Sequence, residues 1–124
     1  MAGSARRGIG EERATLIYTT LPDEAAAREL GAALVRGRLA ACVNIIPGML
    51  AIYEWKGRLE HGGEVVLIAK TMPDRAGECM ARIALLHPYE EPAILRLPVT
   101  EVAASYLDWL HAQTRPGDPA GEAD

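Results

Sequence analysis

The sequence predicts an α+β fold built from two strand–helix–strand halves joined by a hairpin, a split βαβ arrangement with an added C-terminal helix. Three observations predict it. The first is an internal repeat. Leu16-Ile17-Tyr18-Thr19-Thr20-Leu21-Pro22-Asp23 lines up with Leu67-Ile68-Ala69-Lys70-Thr71-Met72-Pro73-Asp74 at an offset of 51, and the same offset carries Ala41–Pro47 onto Pro92–Pro98. The second is that each half passes from an apolar, extended run into a helix-start signal of threonine, proline and aspartate. The third is a long extended stretch between the halves, from Cys42 to Trp55 and on to Val65–Ala69.

Each element follows from local chemistry. Leu16-Ile17-Tyr18-Thr19 is β-branched and aromatic, which favours a strand. Thr20 and Thr71 are N-cap candidates, since a hydroxyl there satisfies an orphan N–H and the following acid suits the positive helix end. Proline fits the first turn, where its missing N–H removes nothing. The first helix is expected over 22–36, with Gly37 as its stop. The second is expected over 73–86, with Ala76, Cys79, Met80, Ile83 and Leu86 or His87 as its apolar stripe and Pro88 as its end. Cys42–Ile46 and Met49–Trp55 read as strands bent at Pro47-Gly48, and Lys56-Gly57-Arg58 reads as a turn. Val102, Tyr106, Trp109 and Leu110 form one helical stripe. The resulting β-α-β-β-α-β order is the ferredoxin-like one.

Length and composition bound the rest. A chain of 124 residues is one ordinary domain. Residues 14–113 are expected to form it, with 1–13 and 114–124 as disordered tails rich in small, polar or Pro and Gly residues. The formal net charge of −4 argues against nucleic-acid and anionic-membrane partners, which need surplus cations. No apolar run approaches the roughly 20 residues of a membrane span, and no apolar stretch follows Arg6-Arg7 as in a secretory signal. Two distant cysteines give no disulfide framework, so a reducing cytoplasm is expected. Both helices of a split βαβ unit lie on one sheet face. Val65–Ala69 is apolar on both faces, so the open face is expected to be covered by further copies of the chain, with the long central strands extending sheets between subunits.

Candidate chemistry concentrates in Leu86-His87-Pro88-Tyr89-Glu90-Glu91-Pro92. Two prolines stiffen the loop, and stiffness lowers the ordering cost of binding. It offers an imidazole, a phenol and carboxylates. The alternative is a connection whose His87 and Glu90 only tie down backbone. Lys70, one of two lysines, could pair with Glu90, receive an anion, or do neither. Tyr53 and Trp55 share a strand face, as subunit packing or as a cleft wall. Cys42 is either a buried strand residue or a thiolate donor for a soft metal such as copper or zinc. Cys79 reads as core, His61 beside Gly62-Gly63 as a hairpin tip, and His111 as surface. No GxGxxG, GxxxxGK[ST] or nucleophile elbow occurs, so neither a phosphate cradle nor a hydrolase triad is written here.

Ala40-Ala41-Cys42-Val43-Asn44-Ile45-Ile46-Pro47-Gly48, Tyr53-Glu54-Trp55-Lys56-Gly57, the stretch from Glu64 to Thr71, His87-Pro88-Tyr89-Glu90-Glu91-Pro92 and Tyr106-Leu107-Asp108-Trp109-Leu110 closely resemble, in order, the CutA family of divalent-cation tolerance proteins. The resemblance implies a ferredoxin-like homotrimer similar to PII signalling proteins, cytoplasmic, and associated with tolerance to metal ions, copper above all. Copper sites of that family use a cysteine near the end of the first strand and paired histidines before Pro-Tyr; those positions here are Thr19 and Leu86-His87. The metal donors expected are therefore His87, Cys42 and Glu90, from one subunit or several. The function expected is binding or sensing without turnover, in a subunit-boundary cleft of Lys70, His87, Tyr89, Glu90, Tyr53 and Trp55. A rigid trimeric hub for partner proteins is the alternative. An enzyme would need His87 as base, oriented by Glu90.

Overall fold

The structure is a computed structural model and describes residues 10–117. Its elements run β1 (Ala14–Leu21), α1 (Glu24–Arg36), β2 (Cys42–Trp55), β3 (Arg58–Thr71), α2 (Pro73–Leu86), β4 (Ile94–Val99) and α3 (Ala104–Gln113). One four-stranded sheet has the order β2-β3-β1-β4, antiparallel throughout. This is the expected α+β, ferredoxin-like order with its C-terminal helix. Among the described residues no helix is long and apolar enough to cross a membrane.

Strand parity divides the residues between two layers. Ile17 and Leu21 of β1, with Leu67 and Ala69 of β3, point at Leu30 and Leu34 of α1 and at Ala76, Cys79 and Ile83 of α2. All of these are buried, which confirms Cys79 as core. The opposite face carries Leu16, Tyr18 and Ile68, half-buried, and Leu95 and Leu97, exposed. Among the described residues it is covered at its two ends, where Leu110 of α3 packs with Ala14 and Ala41 and where Tyr89 closes over Thr20 and Glu64 beside the buried Val66, and it is open between them.

The helix starts differ from expectation. Asp23, not Thr20, caps α1, its Oδ1 accepting from Ala26 N–H at 2.8 Å, so the helix begins at Glu24. Met72 occupies the cap position of α2, with no side-chain bond. The threonine hydroxyls serve long-range contacts instead. Thr71 donates to the Leu39 carbonyl at 2.7 Å, and Thr20 donates to Glu64 Oε2 at 3.2 Å. At the other end Gly37 is the C-cap of α1, as expected, but in right-handed backbone (φ −78°), and the left-handed residue is Arg38 (φ 58°). The Arg38 guanidinium donates to the carbonyls of Arg115 at 2.6 Å and Ala112 at 3.2 Å.

The β2–β3 hairpin turns at Lys56 (φ 51°) and Gly57 (φ 77°), a left-handed pair that matches the twist of the flanking strands. His61 therefore lies within β3, opposite Ile52, and not at a tip. Pro47-Gly48 is a bulge that leaves β2 one strand, not a break into two. The folded unit also reaches past the expected 14–113. Glu12 accepts from Arg96 at 2.6 and 3.1 Å, and Arg115 donates to both Asp74 oxygens at 2.6 and 2.8 Å. The rest of the two expected tails lies outside the described residues.

Candidate functional site

The loop after α2 is held from within. The pre-proline position puts His87 in extended backbone (φ −71°, ψ 136°), which ends the helix and turns the imidazole back over β1. The Tyr89 N–H donates to Nδ1 at 3.1 Å. Nδ1 therefore carries no hydrogen, and the neutral ring bears it on Nε2. That N–H donates to the Thr20 carbonyl at 2.9 Å, with the Thr19 hydroxyl oxygen 3.0 Å away. The residue is 9% exposed. Burial lowers its pKa below the ordinary value, ahead of the opposing pull of the Thr20 carbonyl and of Glu64.

Two bonds from one ring fix the loop, and the loop fixes Tyr89. Its phenol donates to Glu64 Oε2 at 2.8 Å, the oxygen that Thr20 also bonds. Burial and the neighbouring Glu64 carboxylate push the phenol up to about 12. Glu64 starts the apolar run of β3 and faces the open side of the sheet by parity with Val66, Ile68 and Lys70. Together Thr20, Glu64, Tyr89, Glu91, Tyr53 and Trp55 wall an open cavity of about 560 Å³. The hairpin supplies Tyr53 and Trp55, the sheet Thr20 and Glu64, and the stiff loop Tyr89 and Glu91.

Of the six residues expected in one cleft, Tyr53, Trp55 and Tyr89 meet there. His87 lies behind Tyr89 as its support, its ring 5.0 Å from the phenol ring. Glu90 is exposed on the loop, and its neighbour Glu91 lines the cavity in its place. Lys70 is elsewhere. It stands six residues along β3 from Glu64, which is roughly 20 Å of strand. Its ammonium lies 5.8 Å from the Tyr106 ring centre, beside α3. Sequence reasoning missed Glu64 and Glu91 as site residues. The signal for Glu64 is legible as a carboxylate immediately preceding the apolar run Val65–Ala69.

The donor set expected for a metal does not assemble in one protomer. Both His87 ring nitrogens are engaged by the chain itself. Cys42 pairs across from Lys70, at the opposite end of the sheet. Among the described residues no three His, Cys, Asp or Glu side chains converge as a metal site. The described residues of one protomer thus do not fit a bound divalent ion. The His87–Glu90 pair that acid–base chemistry would need does not form either, since the imidazole bonds Thr19, Thr20 and Tyr89.

The fold and site define a small α+β sheet protein with one uncovered apolar face and, beside it, an aromatic and acidic cleft. Residues 15–113 match the CutA1 divalent ion tolerance protein family, and the chain belongs to that family. It is 42% identical over 99 residues to the divalent-cation tolerance protein CutA of Thermus thermophilus, covering 80% of this chain and 96% of that one. It is 39% identical over 106 residues to protein CutA of Mus musculus, covering 86% of this chain and 60% of the mouse protein. Among solved structures, CutA1 of Ehrlichia chaffeensis superposes with a TM-score of 0.81 at 27% identity, over 86% of this chain and 99% of that one. The Thermus thermophilus protein gives 0.78 at 41% identity, over 82% and 99%.

Proposed function

We propose that the chain works as a cytoplasmic homotrimer in divalent-cation tolerance, binding a small ligand at clefts along its subunit boundaries and changing no covalent bond. The observation that carries the reading is the uncovered sheet face. Leu95 and Leu97 are 55% and 43% exposed on it, next to the half-buried Leu16, Tyr18 and Ile68. A contiguous apolar patch of this kind marks an interaction surface. The edge strands β2 and β4 adjoin it with unpaired backbone, which favours sheet extension by a second copy. The cleft opens on the same side, so a neighbour would wall it. Response to a ligand then follows from different affinities for two arrangements of the hairpin or loop, as in PII-like sensing.

The converging cleft groups favour a binding role over a hub. In this reading copper is not bound by His87, and copper ligation requires donors such as Cys42 from more than one subunit. Calorimetric titration with Cu(II) tests that point. The unaltered chain and His87→Ala are expected to give the same isotherm, and loss of a binding step in the variant would return His87 to the metal site. Sedimentation equilibrium tests the assembly. A mass near three times 13.3 kDa is expected, and a stable particle of 13.3 kDa would overturn the reading.

A further inference from the structure

The cleft has a chemical character of its own. Among the described residues of one protomer its lining side chains include the carboxylates of Glu64 and Glu91 and the rings of Tyr53, Trp55 and Tyr89, and no lysine, arginine or histidine. Carboxylates and aromatic faces share one preference, since both present negative electrostatic potential to a guest. A phosphate-bearing or carboxylate ligand is repelled by such walls. A bare metal ion needs several oxygen donors at short range. Here Glu64 Oε2 already accepts from Tyr89 and Thr20. A bulky, weakly hydrated cation needs no directed bonds and uses the ring faces. The rim shows the same chemistry, because the Lys56 ammonium sits 5.8 Å from the Trp55 ring centre.

We infer that the cleft between the β2–β3 hairpin and the 87–92 loop binds an organic cation, with the charge held between the Tyr53 and Trp55 rings and the Glu64 and Glu91 carboxylates. The inference rests on reading this cleft as the ligand site and adds the class of ligand. The His87-braced loop has a defined part in it. By fixing Tyr89, it positions the Glu64 carboxylate before any guest arrives, and preorganisation lowers the cost of binding.

The test uses the full chain with choline chloride as probe. Its uncharged carbon isostere, dimethylbutanol, and ATP are the comparisons, at matched ionic strength, followed by calorimetry and by tryptophan fluorescence. Choline is expected to bind saturably and about tenfold or more tighter than the isostere, with no binding of ATP. Glu64→Gln keeps an acceptor for Tyr89 but loses the charge, and Trp55→Leu keeps apolar bulk but loses the ring. Each is expected to weaken choline about tenfold. Lys56→Ala removes the competing cation and is expected to leave choline binding equal or tighter. Equal binding of the isostere, a preference for ATP, or no saturable choline binding overturns the inference. Sedimentation of the same samples separates it from the assembly reading. A trimer that ignores choline sinks the ligand class alone, and a monomer that binds choline sinks the assembly alone.

Discussion

At the scale of single residues, His87 ties three segments together: the strand end at Thr19 and Thr20, the helix end it caps, and the loop at Tyr89. Removing its ring strands the buried Thr20 carbonyl and the Tyr89 N–H. His87→Ala is expected to destabilise the chain by about 1–3 kcal/mol in urea unfolding. Its titration sets a pH dependence. The folded pKa lies below the ordinary 6.5 because burial disfavours the imidazolium, so in that window the folded chain binds fewer protons than the unfolded one. The stability is present above the unfolded value and is lost as pH falls through the folded one. Unfolding midpoints are therefore expected to drop as pH falls below about 6.5, and His87→Ala should flatten that slope. An unchanged slope in the variant would show that another group carries it. The sequence marks His87 as notable but not its task. A pre-proline imidazole can face solvent or the sheet, and that choice depends on a strand sixty-eight positions away.

At the scale of elements, the hairpin is the part that reaches furthest from the core. Its turn needs left-handed backbone at Lys56 and Gly57. A Cβ at Gly57 would meet no atom within 4 Å, so Gly57→Ala tests backbone strain alone. It is expected to cost about 1–2 kcal/mol in thermal unfolding. Where α1 crosses β2 the constraint is steric. A Cβ at Gly31 would lie 3.0 Å from Val43 Cγ1, so this glycine sets the depth at which the helix seats. The elements themselves were legible. Period-two and period-3.6 patterns, with Pro and Gly as punctuation, identify strands and helices because those signals are local. The caps were not. Thr20 and Asp23 are both competent, and the winner is decided by Glu64, which only the folded sheet brings beside Thr20.

At the scale of the whole molecule, one layer of helices covers one face of a four-stranded sheet, and among the described residues the other face is covered only beneath α3 and beneath the Tyr89 loop. The proposed trimer has a direct test on that face. Leu97 is exposed in the protomer, so Leu97→Asp is expected to leave the fold intact by circular dichroism while lowering the sedimenting mass to that of one chain. An undiminished mass would place the interface elsewhere. The C-terminal helix is fastened independently of assembly. The Arg115–Asp74 pair and the Arg38 bonds to the Arg115 and Ala112 carbonyls link its end to the start of α2 and to the α1–β2 connection.

The sequence by itself determined the duplicated strand–helix–strand plan, the apolar character of both faces at Val65–Ala69, and the stiff loop that follows the second helix. These depend on the identity and spacing of near neighbours. Tertiary structure decided which polar groups meet. Lys70 and Glu64 lie six positions apart on one strand face, so an extended backbone sends them to opposite ends of the sheet. Glu64, Tyr89 and Thr20 are far apart in the chain and within hydrogen-bond reach in the fold. Strand register sets such distances, and register is fixed only when the hydrophobic faces pack.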